Sequence, residues 1–341
     1  MKLPVYSSTI RRREMDAVLT CMVSERIGPG EMNQKLTQIV RETFAVDGAA
    51  AFRSPAIAIG YALAALDLPK GSGVVISALA PSWHYRALKQ LGYEPVVVDV
   101  DPDTALMTRA SADDGIARGG RLILAHETLG FLPNLPDLAA TGVPIVEDVS
   151  QSAGAACYER QAGQFGVFSI IGLEERDLLT GGGGALLVAP SRRESIVLKK
   201  LVDEAPATDI LPDINAALAF VQVKELGRNA AVRQEMSSMY TRSLMQGRHK
   251  TFVQRDEGAN AVYSFPVVLS SGLKDVRQYV GRKEIELELA FEDSVVAFLG
   301  EGFEGCPNAR SLSMRCVLFP LYPRLGTGNA AKIAKVLATL P

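Results

Sequence analysis

Three kinds of side chain with chemical potential fall where a parallel sheet would gather them. Asp148 ends one β-branched run, and Ser169 lies in the next run, which leads at Gly172 into the segment carrying Glu174. Ser54-Pro55 opens a helical stretch, Pro being suited to a first helical turn. In an open parallel sheet, ligands bind beyond the carboxyl ends of the strands. The pattern therefore nominates one site with an acid, a hydroxyl and a helix N-terminus. Other chemistries are poorly provided for. His84, His126 and His249 are far apart in sequence and suggest no zinc site, and Cys21, Cys157, Cys306 and Cys316 show no paired or metal-ligand spacing. The run Gly181–Gly184 lacks the Lys-Ser/Thr of a phosphate loop and reads as a turn into the strand after it.

The elements that must hold this site alternate in type. Gly73–Ala78, Pro95–Asp101, Leu122–His126 and Val143–Val149 read as buried strands, with Ser82–Leu91 and Leu135–Ala140 as helices between them. Val167–Gly172 and Gly183–Val188 add two strands. This alternation implies an α/β fold whose mainly parallel sheet is covered on both faces. Ile214–Met245 reads as one long linking helix. Val262–Leu269 and Arg315–Phe319, with a terminal helix over Asn329–Leu340, suggest a smaller α+β unit. The expected division is 1–235 for an N-terminal arm and large domain, and 236–341 for the small domain. The chain has 341 residues, 48% hydrophobic and 22% charged, with a net charge of −2. That length supplies two cores. The near-neutral balance predicts neither a nucleic-acid nor a membrane face, since no long basic or apolar run occurs. Scattered cysteines and no apolar leader after Met1-Lys2-Leu3-Pro4 lead us to expect a cytoplasmic protein. Arg11-Arg12-Arg13 reads first as a solvated helix start and second as an anion contact.

Several segments resemble the DegT/StrS group of nucleotide-sugar aminotransferases. Glu147-Asp148-Val149-Ser150-Gln151-Ser152-Ala153-Gly154-Ala155 is similar to that group's "EDAAQAHGA", and Gly163-Gln164-Phe165-Gly166 and Phe168-Ser169 follow it in the same order. Gly92 to Thr104 resembles its "VDID-DT" strand and turn. Cys306-Pro307-Asn308-Ala309 and Leu318-Phe319-Pro320-Leu321-Tyr322-Pro323 resemble "CPNAE…LPLYP". Arg26-Ile27-Gly28-Pro29-Gly30 fits the N-terminal arm, and Ala216 to Leu226 the dimer-forming helix. The likeness runs over almost the whole chain. It implies the aspartate-aminotransferase-type pyridoxal-phosphate (PLP) fold, a homodimer with sites at the subunit interface, and exchange of an amino group onto a keto-sugar carried on a nucleotide.

By the same resemblance, Asp148 stands where a carboxylate keeps the cofactor's ring nitrogen protonated. Gln151 stands near the ring hydroxyl, and Ser169 at a phosphate-binding hydroxyl. The lysine that forms the internal imine falls five residues after the "FS" serine, at Glu174; counting back from the glycine run reaches Arg176 instead. Either way no lysine occurs between Gln151 and Lys199. A carboxylate cannot condense with an aldehyde, and a guanidinium is too weak a nucleophile at its pKa. The family's phosphate-holding Gly-Thr is replaced by Ser54-Pro55-Ala56, which loses one N–H and the threonine hydroxyl. Its ring-stacking aromatic aligns with Pro81, with Trp83 two residues on, and its partner-subunit asparagine aligns near Thr208.

Three functions compete. The first is a family member without standard transamination that binds a nucleotide-sugar, free cofactor or a partner subunit in polysaccharide or antibiotic-sugar metabolism. The second is a sugar-modifying aminotransferase or dehydratase that holds PLP or its amine form, PMP, non-covalently with Glu174 as proton-transfer base. The third is an aminotransferase whose lysine is Lys199 or Lys200. PLP or PMP is thus implied only by resemblance and without a covalent anchor, with no cofactor at all as the alternative.

Overall fold

A computed structural model describes residues 2–157, 159–253, 258–270 and 272–341. Its centre is a seven-stranded sheet of β1 (Gly48–Phe52), β2 (Gly73–Ser77), β3 (Glu94–Val98), β4 (Gly120–His126), β5 (Ile145–Asp148), β8 (Phe168–Gly172) and β9 (Ala185–Ala189). Between β5 and β8 lie two short strands, β6 (Ala156–Cys157) and β7 (Arg160–Gln161), which form a separate ribbon with β10 (Gly258–Ala259). The large sheet runs in the order β1-β9-β8-β5-β4-β2-β3, and only β9 opposes the rest. Its strands are dense in Val, Ile and Leu because helices cover both faces; β2, β8 and β9 are buried at every position. Each Val, Leu or Ile so buried contributes about 1.5–3 kcal/mol.

A second sheet, of β11 (Phe265–Val268), β12 (Glu288–Leu289) and β13 (Cys316–Phe319), carries its own core of Phe265, Val267, Val317, Phe319 and Ile333. The segment between these strands does not stand apart from the large domain. Phe291, Val295, Cys306, Ala309, Leu312 and Cys316 pack into the same cluster as Phe52, Ile76 and Leu124.

Two features depart from the sequence reading. β1 is absent from it, because Gly-Ala-Ala-Ala-Phe lacks β-branched residues; pairing with β9 through all five positions makes it a strand. The linking helix is two, Asp213–Lys224 and Leu226–Leu244, meeting at Glu225 with φ −93° and ψ 2°. Glu225 receives Arg13 at 2.5 Å and Arg228 at 3.1 Å, which fixes the junction to the N-terminal arm. Arg12 and Arg13 are both solvated at the helix start, and Arg13 makes this surface pair from an exposed position.

Candidate active-site cleft

At the carboxyl edge of the large sheet lies an open cleft of about 400 Å³ between it and the 288–294 segment. The peptide ties Ser82 N–H to Asp293 O (2.7 Å) and Val295 N–H to Ala80 O (2.8 Å) hold the two walls together. Pro81, Trp83, Asp148, Gln151 and Glu174 line it, so five of the eight positions singled out in the sequence converge, together with Pro55 between the other two helix-start positions. Ser54 instead caps its helix, its hydroxyl oxygen accepting from Ile57 N–H at 3.2 Å. Ala56 packs against the core.

Ser169 is placed away from the cleft. It sits opposite Glu147 in the β5–β8 register, one residue out of step with Asp148, and side chains alternate faces along a strand. Its buried hydroxyl has no hydrogen-bond partner and lies beneath Gly163, where an added Cβ would come within 2.9 Å of Oγ. Thr208 is exposed. Lys199 lines a different groove, beside Asn33 and Arg41, so it offers no amine to this cleft.

Asp148 is wholly buried at the end of β5, directly opposite His126 at the end of β4. Its Oδ2 accepts from His126 Nδ1 at 2.9 Å and from His84 Nε2 at 2.8 Å; its Oδ1 accepts from Ser150 Oγ and, at 3.1 Å, from Ser150 N–H. Burial alone would raise this carboxyl, but the His126 and His84 contacts outweigh burial and hold it well below the usual carboxylate range. Burial pushes the His84 imidazole below its ordinary value against the pull of Asp148, to whose carboxylate its Nε2 donates. The expectation that the histidines form no cluster is thus corrected: His84 and His126 are brought together by the sheet and by the helix that follows Pro81, although 42 positions separate their numbers.

Gln151 Oε1 accepts from Leu129 N–H at 2.7 Å. Glu174 is exposed, and its Oε1 accepts from Gly184 N–H at 3.3 Å. Asp177 is the acid that differs: burial, then the nearby Asp148 and Glu174 charges, push its carboxyl well above the ordinary range, although Glu174 N–H donates to it at 2.8 Å. Arg176 makes a two-pronged pair with Glu288 of β12, at 2.6 and 3.2 Å, across the cleft. The walls therefore carry Asp148, Glu174, Asp177, Glu288, Glu292 and Asp293 against one guanidinium.

The residues present do not fit PLP. A carboxylate offers about four acceptor positions, and those of Asp148 are filled by four protein donors, leaving none for a ring nitrogen. Pro55 brings no N–H to the helix start, Ser169 lies outside the cleft, and the acidic walls disfavour a phosphate dianion. Trp83, two residues from Pro81, is packed edge-on to His84 with centroids 4.2 Å apart.

The architecture is nonetheless that of the PLP-dependent aminotransferases. An aminotransferase TlmJ from Streptoalloteichus hindustanus superposes with a TM-score of 0.88 at 18% identity, over 99% of this chain and 98% of that one. The S. venezuelae DesV complex with a ketimine intermediate gives 0.89 at 18%, over 99% and 98%. An E. coli GDP-4-keto-6-deoxy-D-mannose-3-dehydratase with bound hydrated PLP gives 0.85 at 19%, over 99% and 100%. The chain belongs to the DegT/DnrJ/EryC1/StrS aminotransferase family, whose pattern matches residues 8–338. Among the described residues no helix is long and apolar enough to cross a membrane.

Sequence reasoning missed His84, His126, Asp177 and Glu288. The signal for His126 was its position as the last residue of the strand neighbouring the one that ends at Asp148. Glu288 carried none, because it enters from the small sheet.

Proposed function

We propose that this protein is a family member that does not perform standard PLP-dependent transamination, with Glu174 in place of the lysine. One observation carries the reading: among the described residues, no lysine lines the cleft. The closed acceptors of Asp148 support it. The ligand class that suits the walls is a sugar, whose hydroxyls donate to carboxylates. We place the protein in a reducing cytoplasm, in keeping with its four buried cysteines, and as a homodimer. Met15, Leu19, Met22 and Val23 support the dimer, forming an exposed apolar stripe on the helix Arg12–Val23. We assign 1–235 and 236–341 as its two domains.

The test is titration of the pure protein with PLP, followed by borohydride reduction and peptide mapping. No adduct in the cleft is expected; a stoichiometric adduct on a cleft lysine overturns the reading. A second reading, a sugar dehydratase holding PMP non-covalently, draws on the likeness to the E. coli enzyme. Glu174 faces the cleft as its candidate base, while Asp177 is the neighbouring carboxyl that burial pushes above its ordinary range. Saturable PMP binding with turnover of a 4-keto sugar nucleotide would select this second reading.

A further inference from the structure

The floor of the cleft contains a donor set to which the proposed function gives no role. His84 Nε2, His126 Nδ1 and an Asp148 carboxylate oxygen all lie within 4.8 Å of one another, and the three side chains are 0%, 2% and 0% exposed. Each comes from a different, rigid piece of backbone. His84 is in the first turn of the helix Ser82–Gln90, His126 ends β4 and Asp148 ends β5. We propose that His84, His126 and Asp148 form a site for a divalent first-row transition ion, Zn²⁺ being the best match, with its open coordination position facing the cleft.

Two imidazole nitrogens and one carboxylate oxygen are the ligand types that such ions take, and three protein ligands leave a fourth position for water or substrate. Ligand atoms about 2.0–2.1 Å from a tetrahedral ion are about 3.4 Å apart. The two N···O separations here are 2.8 and 2.9 Å, so the ring nitrogens need to draw back from Oδ2 by only about half an ångström to admit the ion. The imidazole protons now lie in the space it would take. Binding moves each to the far ring nitrogen; of the two residues, His126 is among those lining the cleft. For His84 the receiving Nδ1 is buried without a partner. Lacking that outer support weakens the site by about 10–100-fold relative to one whose histidines are both braced. The carboxylates of Glu174 and Glu292 on the walls act in the other direction, raising the local concentration of cations at the mouth.

The test is anaerobic titration of the full chain with Co²⁺, read by its visible d–d bands, followed by displacement with Zn²⁺. One ion per chain with bands of four- or five-coordinate Co²⁺ is expected. His84→Gln and His126→Gln should each lose the bands, while Glu292→Gln, at the cleft wall, should keep them. Should the glutamine variants unfold, His84→Cys decides, because a thiolate ligand adds an intense charge-transfer band that no other arrangement in the cleft can produce. Absence of d–d bands in the wild type overturns the proposal. So does persistence of unchanged bands in both glutamine variants, which would assign the ion to the wall carboxylates. Neither result depends on whether PLP binds.

Discussion

Restoring the missing amine should not restore the cofactor site. In Glu174→Lys a primary amine is placed in the cleft and its net charge rises by two, yet Asp148 remains closed. A ring nitrogen can reach its Oδ2 only by displacing His84 or His126 from a hydrogen bond to an ionised group, a loss of about 1.5–3 kcal/mol. Pro55 withholds a further backbone donor from the phosphate, about 1 kcal/mol. At 1.4 kcal/mol per tenfold, the sum lowers PLP affinity by about 10²–10³ relative to an open cup. Adding His84→Ala to Glu174→Lys removes the first of these losses, so the double variant should bind PLP about 10–100-fold more tightly than the single one. The cavity it leaves should cost about 2–4 kcal/mol of stability. The assay is absorbance titration with borohydride trapping, with peptide mapping to separate an adduct at position 174 from surface lysines. If Glu174→Lys alone binds as tightly as the double variant, the argument from a saturated carboxylate is refuted.

Other consequences are open to test. Asp213 accepts three backbone N–H groups, from Gly30 and Asn33 at 2.9 Å and Met32 at 3.1 Å, at the start of the helix Glu31–Phe44; Asp213→Ala should cost about 2–4 kcal/mol in urea unfolding, and a loss below about 0.5 kcal/mol would contradict the capping role. Gly130 has φ +91°, and an added Cβ would lie 2.0 Å from Ala261 O, so Gly130→Ala should destabilise by about 3 kcal/mol or more; an unchanged melting temperature would be inconsistent with this clash. His249 donates from Nε2 to Pro341 O and accepts at Nδ1 from Ser270 N–H, and burial lowers its pKa. A depressed imidazole means that the unfolded chain binds more protons below about pH 6.5. Stability should therefore be complete above that pH and fall as pH drops through it, by at most about 1.4 kcal/mol per unit for this group. His249→Asn should flatten the decline between pH 7 and 5, and an unaltered slope would rule His249 out as its source.

Much of the sheet was legible because its strands are buried on both faces and announce themselves as short Val- and Ile-rich runs. Phe168–Gly172 and Cys316–Phe319 fall within a residue or so of the positions expected. The alanine-rich β1 was not legible, since its state is decided by a partner more than a hundred residues away. The break at Glu225 was hidden for a similar reason: Lys-Glu-Leu-Gly is compatible with a continuing helix, and Arg13 supplies the contact that fixes the junction. In the site, Asp148 and Gln151 could be named from their segment alone, but the chemistry of Asp148 is set by His84 and His126, which approach from separate elements. Ser169 shows the converse limit. A matching motif places a residue type, while strand phase decides which face it occupies, and here the phase follows Glu147.

The two margins of the large sheet differ in how they are guarded. β1 is flanked by the helices Glu31–Phe44 and Arg192–Asp203, which pack against it. β3, at the opposite margin, begins with an exposed Glu94 and then Pro95, which has no N–H to offer a docking strand. Neither margin is a template for growth by strand addition, so at high concentration the folded chain should resist fibrillar self-association. Should ordered aggregates form after heating, their appearance ought to track unfolding of the sheet and not precede it.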